Sequence, residues 1–306
     1  MYPSLQPHKK EWLRRDRLST GQYVEIYVEC SGNPKGIPVI YLHGGPGDHS
    51  IPRIRRLYDP KFYHIILFDQ RGCGKSLPAN HTEKNTTEYL IQDIECIREW
   101  IHAPRMVVSG GSWGSTLSLL YAQAHPARVY ALLLRGIYDL TNDDVLDQMY
   151  PEQEDRLRDL IQLKPSEDED VKIEKILSRK TKKRKALIRI MSDEPQMHVT
   201  TKTTRKEPFK ESETLAIIGT HYGKHHHFAS KRKLYKNMHK IKHIPTIMVE
   251  GRYDMVTPPK MAYTLSKIFT DCELNMVPAG HSSLEREITR ALVKASNKLK
   301  QYFQIL

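Results

Sequence analysis

Short apolar runs of strand length alternate with longer amphipathic stretches at both ends of the 306-residue chain, and between the two ends the alternation lapses. Tyr23–Glu29 alternates as an edge strand does, and Pro38–Leu42 and Tyr63–Phe68 read as further strands. From Thr87 to Ile101, Tyr89, Leu90, Ile94, Ile97 and Ile101 share one helical face. Met106–Ser109 is the next strand, Ser115–Ala124 a helix stopped at His125-Pro126, and Tyr130–Leu134 a strand again. The pattern resumes with a strand at Pro245–Glu250, a helix at Pro259–Phe269, a strand at Glu273–Val277 and a helix from Leu284 to Gln301. Alternation of this kind predicts an α/β fold, a mostly parallel sheet with helices on both faces.

The interruption has its own character. Residues 137–171 hold 3 basic and 12 acidic side chains, net −9, whereas 172–240 hold 19 basic and 6 acidic, net +13. A segment so polar cannot form a large core alone, which predicts an inserted helical lid (137–240) on a core domain built from 1–136 and 241–306. The whole chain carries +12, with 39% hydrophobic residues. No stretch approaches the roughly 18 apolar residues of a membrane helix. The early cluster Lys9, Lys10, Arg14, Arg15 and Arg17 lacks the apolar block of a secretory leader. Cys30, Cys73, Cys96 and Cys272 are scattered with no C-x-x-C pair, which argues against a disulfide scaffold or zinc module and for a reducing, cytoplasmic setting.

Gly110-Gly111-Ser112-Trp113-Gly114 places G-x-S-x-G between an apolar strand and an amphipathic helix. A strand turning directly into a helix cramps the backbone at the serine, so small residues must flank it, and the hydroxyl is presented above the carboxyl edge of the sheet. A serine at its ordinary pKa is a poor nucleophile and needs a base and an orienting acid, in this architecture in the order Ser, Asp or Glu, His. Asp254 follows the strand Pro245–Glu250, and His281 follows Glu273–Val277 within Pro278-Ala279-Gly280-His281-Ser282. Both fall at the carboxyl edge, which gives Ser112, Asp254 and His281 as the candidate triad. The loop His43-Gly44-Gly45-Pro46-Gly47 ends another strand. Its Gly45 N–H and the N–H of Trp113 are the candidate oxyanion donors.

Two other motifs fall away. Arg71-Gly72-Cys73-Gly74-Lys75-Ser76 ends like a phosphate-binding loop, but Asp69 stands where the first glycine belongs and Pro78 interrupts any following helix. His225-His226-His227 with His221 lacks a carboxylate or cysteine to complete a metal site, so it reads as a polar loop; no metal or cofactor is expected.

Taken together, His43–Gly47, Asp69-Gln70-Arg71-Gly72, Gly110–Ser115, Arg135-Gly136-Ile137, Gly251-Arg252-Tyr253-Asp254 and Ala279-Gly280-His281-Ser282 resemble the proline iminopeptidase (prolyl aminopeptidase) family of α/β-hydrolases. The resemblance implies a metal-free serine peptidase that removes an N-terminal proline, with Ser112 as nucleophile, His281 as base and then acid, and Asp254 as its partner. In the lid, Ala216–Tyr222 keeps the frame of the family's A-R-I-E-x-H-Y, whose glutamate binds the substrate amine, but has Gly219 at the acid position. The family's Trp-Glu pair is absent from the lid. Asp193, Glu194, Glu207, Glu211 and Glu213 are the candidate substitutes. Two alternatives therefore stand: an esterase or amidase for a different, small acyl substrate, and a binding protein using Arg179–Lys185 and Lys231–Lys233 on an acidic surface. Missing aromatic interleaving argues against nucleic acid as the partner.

Overall fold

A computed structural model describes residues 1–141, 151–164, 166–191 and 209–303. Eight strands form one sheet: β1 (Lys9–Arg17), β2 (Tyr23–Gly32), β3 (Ile37–Leu42), β4 (Tyr63–Phe68), β5 (Met106–Ser112), β6 (Val129–Ile137), β7 (Thr246–Gly251) and β8 (Cys272–Val277). Their spatial order is β1-β2-β4-β3-β5-β6-β7-β8. The first two pairings are antiparallel and the other five parallel. The α/β architecture expected from the alternation is the one observed.

The parallel strands are buried on both faces, so successive residues serve two cores. Ile40, Leu42, Ile66, Phe68, Val108, Leu132, Leu134 and Met248 face one; Val39, Tyr41, Ile65, Leu67, Val107, Ala131, Leu133, Ile247 and Val249 face the other. The first core is covered by α1 (Thr87–Trp100) and α2 (Trp113–Ala124). The second is covered by the carboxyl-terminal helix Arg286–Leu299, whose Ile288, Leu292, Ala295 and Leu299 repeat at helical spacing. The strand β1 has no counterpart in the sequence reading. Its residues KKEWLRRDR carry too little apolar surface to signal a strand, and it survives at the sheet margin, where charged side chains also block edge-to-edge association.

Between β6 and β7 lie α3 (Pro151–Ile161), α4 (Glu169–Leu177), α5 (Lys182–Met191), α6 (Phe209–Lys224) and α7 (Lys231–Lys236). Ile161, Ile173, Leu177, Leu187, Ile188 and Ala216 close a small core of their own. These helices are also tied to the sheet: Ile218 and Tyr222 of α6, Leu234 of α7 and the following Met238 pack into its first core. The divided charge of the segment is partly self-compensated, as Lys224 meets Glu174 at 2.6 Å and Arg184 meets Glu213 at 2.5 Å. After them come α8 (Pro259–Ser266) and α9 (Arg286–Leu299).

The loop after β4 explains the rejected phosphate motif. The space where Gly74 would carry a side chain is filled by the Asp69 carboxylate, which also accepts the Lys75 and Ser50 N–H groups at 2.9 and 2.8 Å. The loop wraps an anion belonging to its own chain. The adjacent Arg71 is fully buried and gives two hydrogen bonds to Asp93 of α1, at 2.6 and 2.8 Å, and one to Asp16 at 2.5 Å. Removing one partner of such a pair strands a charge in the core and costs about 3–5 kcal/mol. Asp93→Asn is therefore expected to lower the melting temperature by roughly 10 °C in a thermal scan, whereas the exposed Arg290–Glu287 pair should leave it unmoved when Glu287→Gln is made.

Candidate active site

The parallel register brings the carboxyl ends of β3, β5, β6, β7 and β8 to one rim, with Leu42 beside Gly110, Ser112 beside Ile137, and Gly251 beside Val277. Ser112 ends β5 and caps α2 with φ 57° and ψ −130°, a backbone conformation that costs a non-glycine residue about 1–3 kcal/mol. The surroundings enforce it. A side chain at Gly110 would overlap the Gly114 carbonyl, and one at Gly114 would overlap the Leu42 carbonyl. Only glycine lets the strand, turn and helix close, so the Ser112 hydroxyl is held half-exposed at the rim.

Asp254 and His281 meet as expected. His281 Nδ1–H donates to Asp254 Oδ2 at 2.7 Å, and both side chains are almost completely buried. The other Asp254 oxygen accepts the Val256 and Thr257 N–H groups at 3.0 and 2.8 Å, while Thr257 Oγ1 donates to Oδ2 at 2.9 Å. Burial alone would raise the Asp254 pKa; the charge and hydrogen bond of His281 and the other donors outweigh it and hold the carboxyl well below its ordinary range. With Nδ1 committed to Asp254, the Nε2 lone pair points the other way. It faces Arg135 Nη1 at 3.2 Å, and the same nitrogen donates to the His281 carbonyl at 2.8 Å. The Arg135 guanidinium also abuts the backbone of Gly111, next to the serine. Among the described residues no hydrogen bond joins Ser112 Oγ to His281. Arg135 touches His281 Nε2 on one side and the Gly111 backbone on the other.

The loop after β3 comes within contact of Ser112: a side chain at Gly44 would lie 3.2 Å from the Ser112 Cβ. Gly45 follows with φ +102°, open to glycine alone without strain. Trp113 opens α2, where a backbone N–H has no partner within the helix. Gln70 connects the two loops. Its backbone N–H donates to His43 Nε2 at 2.9 Å, its side-chain amide donates to the His43 carbonyl at 2.8 Å, and its side-chain oxygen accepts the Trp113 indole N–H at 3.1 Å. In the sequence Gln70 stood only inside a family motif; its bridging role needed coordinates.

The model of the α/β hydrolase fold matches residues 37–287. A probable proline iminopeptidase of Leptolyngbya boryana is 38% identical over 97% of this chain and 96% of that protein. The proline iminopeptidase of Arabidopsis thaliana is 37% identical over 98% of this chain and 82% of that one. The chain belongs to the proline iminopeptidase family of α/β-hydrolases. An α/β-hydrolase enzyme from a Medee basin deep-sea metagenome library shares the fold with a TM-score of 0.64 at 16% identity, covering 92% of this chain and 96% of that one.

In this member of the family, Gly219 of α6 faces the glycine-rich loop: a Cβ there would meet only the Pro46 carbonyl, at 3.6 Å. Of the substitute carboxylates, Glu213 is engaged by Arg184 and Asn80, and Glu211 lies 3.8 Å from His49. Asp193, Glu194 and Glu207 lie outside the described residues. In the histidine run His225 and His226 are exposed, as the polar reading expects, and His227 turns inward. His227 packs against Trp113, Tyr138 and Tyr222, and burial pushes its pKa down to about 4. Among the described residues no cluster of three or more His, Cys, Asp or Glu could hold a metal, and no helix is long and apolar enough to cross a membrane.

The depressed Asp254 pKa has a signed consequence for stability. Its contribution is complete above the unfolded value near 3.8 and is lost as pH falls through the lower folded value. Urea unfolding followed from pH 5 downward, a window of about three units, should show the wild type losing stability faster than Asp254→Asn, which lacks the ionised form.

Proposed function

We propose that this chain is a serine aminopeptidase that releases N-terminal proline from peptides through an acyl-enzyme at Ser112. The observation that carries the reading is full-length identity of 37–38% to proline iminopeptidases, and the buried Asp254–His281 pair beside a strained serine supports it. The helices of 137–240 serve as the lid over this rim. Four unpaired thiols suit a reducing, cytoplasmic compartment.

In the mechanism the Arg135 guanidinium tilts off His281 Nε2 while keeping its bond to the His281 carbonyl. The Ser112 proton then passes to Nε2 as Oγ attacks the prolyl carbonyl. Asp254 stabilises the imidazolium, and the Gly45 and Trp113 N–H groups receive the oxyanion, each such donor being worth about 3–4 kcal/mol in the transition state. His281 returns the proton to the departing amine. A water deprotonated by the same nitrogen releases proline and restores the serine.

A second reading, an esterase or amidase indifferent to a free amine, is favoured by one observation: Gly219 supplies no carboxylate where α6 faces the loop. A buried ammonium needs a charged or hydrogen-bonding partner. Prolyl arylamide and its N-acetylated form separate the two. The aminopeptidase reading expects rapid release from the free amine and little from the capped substrate; equal cleavage of both, or ester cleavage alone, contradicts it. Ser112→Ala should reduce turnover on the order of 10⁶-fold and Asp254→Asn about 10⁴-fold in initial-rate assays. Gly219→Glu should lower KM for prolyl arylamide and leave KM for the capped substrate unchanged.

A further inference from the structure

Behind the Asp254–His281 pair lies a second acid. Glu250 closes the apolar run of β7 and is fully buried. Its Oε2 accepts the Ile137 N–H of β6 at 2.8 Å and its Oε1 the Gly251 N–H at 3.2 Å. This places it against the catalytic pair: Gly136, next to Ile137, abuts the His281 ring and Thr257 Oγ1, and the Glu250 and Asp254 carboxyls act on one another electrostatically. Two carboxyls so coupled in a dry interior do not both ionise, so one of them carries a proton.

The donors decide which. Asp254 receives two backbone N–H groups, a threonine hydroxyl and the imidazole Nδ1–H. Glu250 receives two backbone N–H groups, one of them long. Negative charge therefore settles on Asp254, and burial followed by the Asp254 charge pushes the Glu250 pKa well above its ordinary value. Arg135, facing Glu250 from β6, opposes that rise without cancelling it. With Glu250 neutral, the buried group of Arg135, Asp254, His281 and Glu250 sums to zero charge when the imidazole is neutral, the state a general base requires.

We propose that Glu250 is a positioning residue: a neutral carboxylic acid whose proton is donated to Asp254, limiting how strongly Asp254 draws a proton onto His281. The inference rests on His281 acting as the base. An Asp254 that already accepts an O–H bond raises the basicity of His281 less than a bare carboxylate pair would. The nucleophile is thereby activated at a lower pH. During the reaction the Glu250 proton stays in place, and only the Ser112 proton travels, to His281 Nε2.

Two measurements test this without a prolyl substrate. Infrared difference spectra of wild type minus Glu250→Gln at neutral pH should show the carbonyl band of a protonated carboxylic acid; a carboxylate band in its place overturns the proposal. The second is the pH dependence of Ser112 labelling by a fluorophosphonate. Glu250→Gln, a neutral donor of the same shape, should keep the midpoint of the acid limb, and Glu250→Leu, which removes the donor, should raise it by about one unit. A midpoint that falls by a similar amount in Glu250→Gln would mean an ionised Glu250, and an unmoved midpoint in folded Glu250→Leu would mean a structural role only; either overturns the proposal. If Glu250→Leu does not fold, the infrared band and the Glu250→Gln midpoint decide. Labelling that ignores His281→Ala would instead contradict the assignment of the base, and absence of prolyl turnover would leave this test intact.

Discussion

The backbone at the end of β5 is so close to its neighbours that two positions admit no side chain. Gly110 faces the Gly114 carbonyl and Gly114 faces the Leu42 carbonyl. From that crowding the rest of the rim follows. The chain can enter α2 only by placing Ser112 at positive φ, and the serine then stands beside the β3 loop. The strain is sustained because both faces of β3, β5 and β6 are locked in core.

The molecule buries several ionisable groups, each answered by a specific partner. Arg71 is answered by Asp93 and Asp16, Arg55 by Glu29, and His281 by Asp254. The first two fix loops and strands. In the third, Asp254 accepts four donors while its neighbour Glu250 accepts two. Arg135 adds a cation that meets His281 Nε2 and contacts the Gly111 backbone beside Ser112. The helix α6 passes close to the glycine-rich loop, with Gly219 facing the Pro46 carbonyl.

Much of this was legible in the sequence, for identifiable reasons. Strands buried on both faces are near-continuous apolar runs, so β3, β4 and β7 fall within a residue or so of where their composition places them. Ser112 and Asp254 could be singled out because each follows such a run, and His281 because it follows the last strand, half-buried β8. What the sequence hid depends on tertiary contact. The charged strand β1 exists only because β2 offers an edge. Arg135, Gln70 and Thr257 look like ordinary polar residues until three loops converge. Glu250 did leave a signal, a lone acid ending an apolar strand four residues before Asp254, which marks a carboxyl that must be buried. In the histidine run only His227 escaped the polar reading, through its packing beside Trp113.

The central claim is that Ser112 carries the acyl group during turnover. Acid-quenched mass spectrometry of the enzyme during steady turnover of a prolyl arylamide tests it directly. The account predicts a prolyl adduct confined to the peptide containing Ser112. Continued turnover with no adduct, undiminished in Ser112→Ala, would contradict it.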